Sequence, residues 1–328
     1  MPIKDTHGRS IDYVRLAVTD RCNLRCSYCL PEGFTSFLPK KDLLSFEELF
    51  RLLEILSDMG VRKLRFTGGE PFVRQDLMGL IRKVAKAHLF DSVHITTNGV
   101  LTAPWIPELA DLGIASMNIS IDSIQQERFK QITGRDQLTA VLKTIELAVT
   151  HGIRTKLNTV VLSAHNTSEL IDLVRFADQS NVDIRFIEEM PFNGTGEINA
   201  DFWNYERILL SLQRELNLIP LPSYPGQTAM NYRLDNSNCV VGVIPAYSRT
   251  FCGSCNRLRI SPKGEITTCL YAASEHSLFS LLRANSADAD VRDLIEAAVA
   301  KKPVDGFVAE RAMLEQQRSF ATMASIGG

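Results

Sequence analysis

The chain has 328 residues, enough for one large domain or a barrel with an appendage. Hydrophobic residues make up 45% and charged residues 23%, and a formal net charge of −2 gives no global field that would draw the chain to nucleic acid or a membrane surface. No apolar run is long enough to span a bilayer, and the opening Met1 to Ser10 has no apolar segment of the secretory kind. Seven cysteines, an odd number gathered mainly in two tight clusters, argue against a disulfide framework and for a reducing compartment, so a cytoplasmic protein is expected.

Apolar spacing predicts a strand over residues 13–18, ending just before a loop that carries Cys22, Cys26 and Cys29. Ser45 and Glu48 form a predicted capping box opening an amphipathic helix to about residue 59, stopped by Gly60. Residues 63–66 read as the next strand, followed by Gly68, Gly69 and Glu70 and a helix over about 76–87. Further strands are predicted over 92–97, 116–121, 155–161 and 183–187, with helical patterns from about 125 and 137 and over about 168–179. Six strands alternating with helical segments imply right-handed parallel crossovers. An open doubly wound sheet would satisfy this pattern. Polar residues at every strand end favour instead a partial (β/α)6 TIM-like barrel, an α/β fold whose chemistry sits at that rim.

After about residue 190 the rhythm changes. Residues 202–216 look helical, prolines and Gly226 break the chain, 239–245 is a short strand, and 257–260 with 266–269 reads as a hairpin. Helical patterns follow near 278–283 and 291–301. The expected division is a barrel core over 1–190 and a C-terminal region over 191–328, placed against the barrel mouth.

Cys22, Cys26 and Cys29 have the spacing C-x3-C-x2-C. Three thiolates on a short loop can hold three irons of a [4Fe–4S] cube and leave the fourth open to a small molecule. A structural zinc site needs four ligands, and no fourth Cys or His lies nearby. The plain alternative is three buried structural cysteines. Tyr28 puts an aromatic plane beside the last thiol. The loop resembles the signature of the radical S-adenosylmethionine (SAM) superfamily. That resemblance implies a partial barrel, an open iron that chelates the methionine part of SAM, and an electron that cleaves SAM to a 5′-deoxyadenosyl radical.

Thr67-Gly-Gly-Glu-Pro71 follows the second strand, and two glycines leave backbone groups open to close approach. On its own it is a weak signal that a plain turn would also give. Thr96, Thr97 and Asn98, Ser120 and Asp122, and Met190 end successive strands. The resemblance implies SAM contacts at Tyr28, Gly69, Glu70, Ser120 and Met190, and a substrate contact at Thr96.

Cys252, Cys255 and Cys269 have the spacing C-x2-C-x13-C. With Cys239 they could form a four-cysteine zinc ribbon; by themselves they could hold a second [4Fe–4S] cluster. Cys255-Asn-Arg-Leu-Arg259, the third cysteine beyond a hairpin and the terminal Gly-Gly resemble the family of GTP 3′,8-cyclases of molybdenum cofactor biosynthesis. The departure after Cys269, Leu-Tyr-Ala-Ala in place of the usual Leu-Phe-Gly, touches no proposed ligand. The resemblance implies a second cluster whose open iron meets guanine, in a C-terminal Fe–S-binding extension closing the barrel mouth, with Cys239 a free buried thiol. It implies GTP contacts at Arg15, Arg65, Lys156, Arg257, Leu258 and Arg259, to which Arg185 is added by proximity, and a tail, Gly327 and Gly328, that reaches the active site. Arginines suit the part, since a planar fork of donors matches phosphate oxygens.

The implied reaction converts GTP to 3′,8-cyclo-7,8-dihydro-GTP: the deoxyadenosyl radical takes the ribose 3′ hydrogen and C3′ attacks C8 of guanine. The implied partners are GTP, an electron donor such as flavodoxin or ferredoxin, the following pathway enzyme (cyclic pyranopterin monophosphate synthase) and a second copy of the chain in a homodimer, with no nucleic acid and no membrane. The rival readings are a radical SAM peptide-modifying enzyme with an auxiliary cluster and a non-catalytic Fe–S electron carrier.

Overall fold

The computed structural model describes residues 3–30, 34, 37–191, 201–316 and 322–326. The expectation for Gly327 and Gly328 falls outside them. Contacts divide the chain into two compact units, Met1–Asn23 with Gly33–Ile95 and Cys252–Gly328, and Leu24–Glu32 with Thr96–Phe251. This cuts across the linear division expected near residue 190.

In chain order the strands are β1 (Ile3–Lys4), β2 (Ser10–Ile11), β3 (Tyr13–Ala17), β4 (Lys63–Thr67), β5 (Ser92–Thr97), β6 (Ser116–Ser120), β7 (Thr155–Val161), β8 (Asp183–Glu188), β9 (Leu218–Pro220), β10 (Met230–Leu234), β11 (Val240–Ile244), β12 (Arg257–Ile260), β13 (Glu265–Thr267) and β14 (His276–Ser277). Expected bounds and observed bounds agree to within a residue or two for every strand of the first 190 residues from Tyr13 onward. β1, β2, β9, β10 and β14 are too short or too polar to show a period in the sequence, and the structure adds them.

In the first unit the strand order is β14-β13-β12-β3-β4-β5. β12, β3, β4 and β5 run parallel, while β13 and β14 fold back antiparallel. The helix Phe46–Asp58 returns the chain from β3 to β4. Its capping box is present in full: Ser45 N donates to Glu48 Oε2 at 2.6 Å and Glu48 N donates to Ser45 Oγ at 3.2 Å. The first turn thus satisfies two backbone donors that would otherwise have no partner in the helix. The same helix buries Leu49, Leu52, Leu53 and Leu56, each worth about 2 kcal/mol when removed from water.

Side chains alternate across these strands. Val14 and Leu16, Leu64 and Phe66, and Leu258 and Ile260 are fully buried on one face. The other face carries a register row, Arg259, Arg15, Arg65 and His94, on four neighbouring strands, with Arg257, Tyr13, Lys63 and Ser92 in the row beside it. Period-two alternation separates packing from chemistry in this way.

In the second unit the order is β6-β7-β8-β11-β10-β9. β6, β7, β8 and β11 are parallel. β11, in the region read from sequence as an appendage, lies beside β8 as a core strand. Its run Val-Val-Gly-Val-Ile has the near-continuous apolar character of a parallel strand covered on both sides. β12 joins β3 in the first unit in the same manner. Ile119, Leu157, Ile184, Phe186, Val241 and Val243 fill the packed face of the second unit, under helices that include Leu138–Thr150 and Leu170–Gln179.

Candidate active site

The glycine turn after β4 is fastened to the chain that leads into the cysteine loop. Val18 N donates to Thr67 O at 2.9 Å, Gly69 N to Thr19 O at 2.8 Å and Glu70 N to Arg21 O at 2.8 Å. A Cβ on Gly68, whose φ is +148°, would lie 2.3 Å from Thr19 O, and one on Gly69 would lie 2.5 Å from Arg21 O. Both positions therefore require glycine. Glu70 is fully buried, and its Oε1 accepts from Phe72 N at 3.2 Å.

The division between units falls at Asn23, so Cys22 belongs to the first and Cys26 and Cys29 to the second. All three are half-buried and in no disulfide. In the second unit the loop is pinned by its backbone: Arg25 N donates to Thr133 O at 2.8 Å and Ser27 N to Ile132 O at 3.1 Å, while Cys29 N closes a turn on Cys26 O at 3.0 Å. Tyr28 Oη donates to Asp122 Oδ2 at 2.7 Å, and Val160 N donates to Asp122 Oδ1 at 2.8 Å. Burial pushes the Asp122 carboxyl up to about 6 against the hydrogen bonds from Tyr28 and Val160. Burial, then Asp122, pushes the Tyr28 phenol well above its ordinary value, so it stays a donor. Among the described residues no three His, Cys, Asp or Glu side chains close on a point as ligands of one metal ion would. Sulfur-only donors on a pinned loop are the donor set of an iron–sulfur cube.

The basic face of the first unit is built from the first and third residues of β12, β3, β4 and β5. Arg65 and Arg259 are buried, 5% and 8% exposed. Arg65 Nε donates to Tyr13 Oη at 2.8 Å and Nη1 to Ile95 O at 2.9 Å, and Lys63 Nζ lies 4.9 Å from the centre of the Tyr13 ring. Burial, then Arg259, with Arg65 and Arg257 behind it, drives the Arg15 guanidinium well below its ordinary value. Burial and Arg257 bring Arg259 down to about 10. Burial, then Arg65 and Lys63, lowers His94 to about 3, so it is a neutral member of the row. Mutual repulsion on this face thus adds to burial in lowering Arg15 and Arg259.

Tyr13 sits within that charge. Burial opposes its ionisation, but Arg65, Arg15, Arg257 and Lys63 together bring the phenol down to about 7. A lowered acid stabilises the fold fully above its unfolded value near 10, and that contribution is lost as pH falls through about 7. A bound polyphosphate has the opposite effect, because it competes with the phenolate for the same cations. Inorganic triphosphate should therefore bind with uptake of up to one proton and weaken, by at most about tenfold per pH unit, above pH 7. Calorimetry in two buffers of different ionisation enthalpy measures the uptake, and Tyr13→Phe should flatten it; an unchanged slope in that variant would exclude Tyr13 as the titrating group.

Leu258 is fully buried on the packed face, opposite the arginines on either side of it, so the structure does not bring its side chain to their face. In the second unit, Asn118, Lys156 and Asp183 form one register row and Ser120, Asn158, Arg185 and Gly242 the next. Lys156 Nζ is held by Asp183 Oδ2 at 2.6 Å, so the fold already gives this cation a counter-charge. Burial, then Arg185, lowers Lys156, with Asp183 opposing. Gly242 leaves room for Arg185, whose Cγ a Cβ there would meet at 3.1 Å. Buried Oδ1 atoms of Asn118 and Asn158 have no hydrogen-bond partner among the described residues, and both share a face with Ser120 and Lys156. These two asparagines were not singled out from sequence, although the alternation of β6 and β7 puts them beside residues that were. Thr96 and Met190 are half-buried, at the end of β5 and after β8.

Cys252, Cys255 and Cys269 are half-buried in the first unit, with Cys255 N closing a short turn on Cys252 O at 3.1 Å. The N-terminal hairpin braces this loop. Asp5 holds Arg9 Nε at 2.5 Å, and Arg9 donates to Cys252 O at 3.1 Å, Val304 O at 2.8 Å and Pro303 O at 2.6 Å. Cys239, in the second unit, is buried and donates its thiol to Val182 O at 3.4 Å. Burial, with Asp178 and Asp183, pushes that thiol up to about 12, so it keeps its proton.

The Radical SAM superfamily matches residues 16–177, and Molybdenum Cofactor Synthesis C matches 182–307. The chain is 41% identical over 307 residues to a GTP 3′,8-cyclase of Paracoccus denitrificans, covering 92% of this chain and 89% of that one. It is 38% identical over 311 residues to a GTP 3′,8-cyclase of Mesorhizobium japonicum, covering 92% of each. At 37% identity it spans half the length of molybdenum cofactor biosynthesis protein moc-5 of Caenorhabditis elegans, with 92% of this chain aligned. Among solved structures, Streptococcus suis SuiB bound to S-adenosylmethionine superposes with a TM-score of 0.61 at 16% identity, over 84% of this chain and 66% of that one. SuiB bound to precursor peptide SuiA gives 0.64 at 15% identity, over 96% and 76%. These likenesses establish the α/β radical SAM fold with its parallel strands.

Proposed function

Since the chain belongs to the family of GTP 3′,8-cyclases, radical SAM enzymes of molybdenum cofactor biosynthesis, we propose how its own residues divide the work on GTP. Cys22, Cys26 and Cys29 hold the first [4Fe–4S] cluster. The Gly69 carbonyl, Glu70, Ser120, Met190 and Tyr28 orient SAM against it. When bound, that pair supplies the 5′-deoxyadenosyl radical for abstraction of the ribose 3′ hydrogen on the way to 3′,8-cyclo-7,8-dihydro-GTP. Arg15, Arg65, Arg257 and Arg259 take the triphosphate, with Lys156, Arg185 and Thr96 as further GTP ligands, and Asn118 and Asn158 offer acceptors on the same face as Ser120. Cys252, Cys255 and Cys269 hold a second [4Fe–4S] cluster for guanine.

The observation that carries this reading is the row of three arginines and a neutral histidine in register on four parallel strands. Guanidinium forks gathered on one face match phosphate oxygens, and a bound polyanion would relieve their mutual repulsion. Arg65→Ala and Arg257→Ala are each expected to lower kcat/KM for GTP by about 10- to 100-fold or more, with iron content unchanged. Full activity in both variants would refute the triphosphate assignment. Anaerobic metal analysis should find about eight irons and no zinc per chain; about four irons with one zinc would mean a ribbon at the second cysteine set.

The family resemblance also supports a barrel core over 1–190 with a C-terminal region over 191–328, a reductant such as flavodoxin or ferredoxin, hand-over of product to cyclic pyranopterin monophosphate synthase, a homodimer and a cytoplasmic location. No helix among the described residues is long and apolar enough to cross a membrane. Gly327 and Gly328 are proposed to enter the active site.

A further inference from the structure

Lys302 follows the helix Asp288–Ala300 and is only 3% exposed. Its ammonium donates to Arg257 O at 3.1 Å, to Thr268 O, and to Cys255 Sγ at 3.5 Å. Three donors thus meet three acceptors, which is the full donor capacity of an ammonium group. Each acceptor belongs to the frame of the second cysteine set: Cys255 itself, the residue two beyond it, and the residue before Cys269. Two of the three are neutral carbonyls. A buried cation needs an anionic partner to offset its lost hydration. Cys255, as a ligand thiolate, is the anionic partner among those acceptors.

We propose that Lys302 is a positioning residue of the second cluster, holding the Cys255 and Cys269 segments together and compensating the negative charge of the thiolate-bound cluster so that it is easier to reduce. The proposal rests on the reading that this cysteine set binds a [4Fe–4S] cluster. Hydrogen bonds and positive charge at ligand sulfurs are among the terms that set cluster potentials. Loss of the charge should move the midpoint potential to more negative values. Lys301, the neighbouring residue, points its ammonium instead to Glu275 Oε2 at 3.8 Å with both side chains largely in solvent. It therefore serves as the matched control.

The test uses the full chain with Cys22, Cys26 and Cys29 replaced by serine, so that iron reports the second set alone. After anaerobic reconstitution this background should hold about four irons per chain. Iron absent, or zinc in its place, would overturn the second-cluster reading itself, before Lys302 is touched. Given the cluster, an EPR-monitored titration should show a lower midpoint potential in Lys302→Met, recovery toward the parent value in Lys302→Arg, and no change in Lys301→Met. If Lys302→Met does not accumulate, Lys302→Gln removes the charge while keeping an amide donor and gives the same reading. An unchanged potential in the neutral variant, or a shift that Lys302→Arg fails to reverse, overturns the proposal.

Discussion

Gly69→Ala is expected to abolish SAM cleavage, a loss of more than about 100-fold, and to strip the first cluster from the chain. The added methyl would lie 2.5 Å from Arg21 O and 2.7 Å from both Arg21 C and Asp20 O. These are backbone atoms, so no rotamer change relieves the clash. The turn must separate from the stretch it is bonded to, breaking the Gly69–Thr19 and Glu70–Arg21 hydrogen bonds. Overpacking of this kind costs about 1–3 kcal/mol or more, and the displaced segment leads directly into Cys22. Gly79 is the control. It lies in the helix Leu77–Ala87, and a Cβ there meets nothing within 4 Å among the described residues. Gly79→Ala should keep full iron and activity and gain up to about 1 kcal/mol of stability. Iron content and 5′-deoxyadenosine release measure both variants, and normal values for Gly69→Ala would remove the glycine turn from the SAM site.

Arg15→Met should act with opposite signs on stability and on binding. Arg15 shares a face with Arg259, Arg65 and Arg257, and their combined field disfavours its charge. Replacing it with an uncharged side chain of similar length removes that repulsion and the desolvation behind it. Loss of that repulsion should leave the variant at least as stable as the parent, and each kcal/mol gained raises the melting temperature by about 2–4 °C in a chain of this order of size. GTP affinity should fall by about 10- to 100-fold, because a charge-assisted contact to phosphate is lost. Excess GTP should raise the melting temperature of the parent by more than it raises that of the variant. A variant that is both less stable and equally able to bind GTP would show that Arg15 has a structural role.

The local elements were legible because their signals are local. The Ser45–Glu48 box and the bounds of β5 and β7 each follow from a few adjacent residues. Arg15, Arg65 and Arg259 were each legible as charges inside strands. That they form one row was not, since β12 joins β3 across more than two hundred residues and register between distant strands leaves no local trace. The partnership of Lys156 with Asp183 was hidden for the same reason. Leu258 is different: the alternation Arg257, Leu258, Arg259 already puts it on the face opposite its neighbours. Asn118 and Asn158 resemble ordinary polar strand residues, and only their buried, unmatched oxygens set them apart.

The brace made by Arg9 has a practical consequence for handling the protein. Arg9 stands among the first dozen residues yet grips the carbonyl of Cys252 and the turn at Pro303 and Val304. A protease nick or an expression truncation that removes this short leader should loosen the far end of the polypeptide, and purified material trimmed there should lose iron on dilution while its remaining sequence is intact.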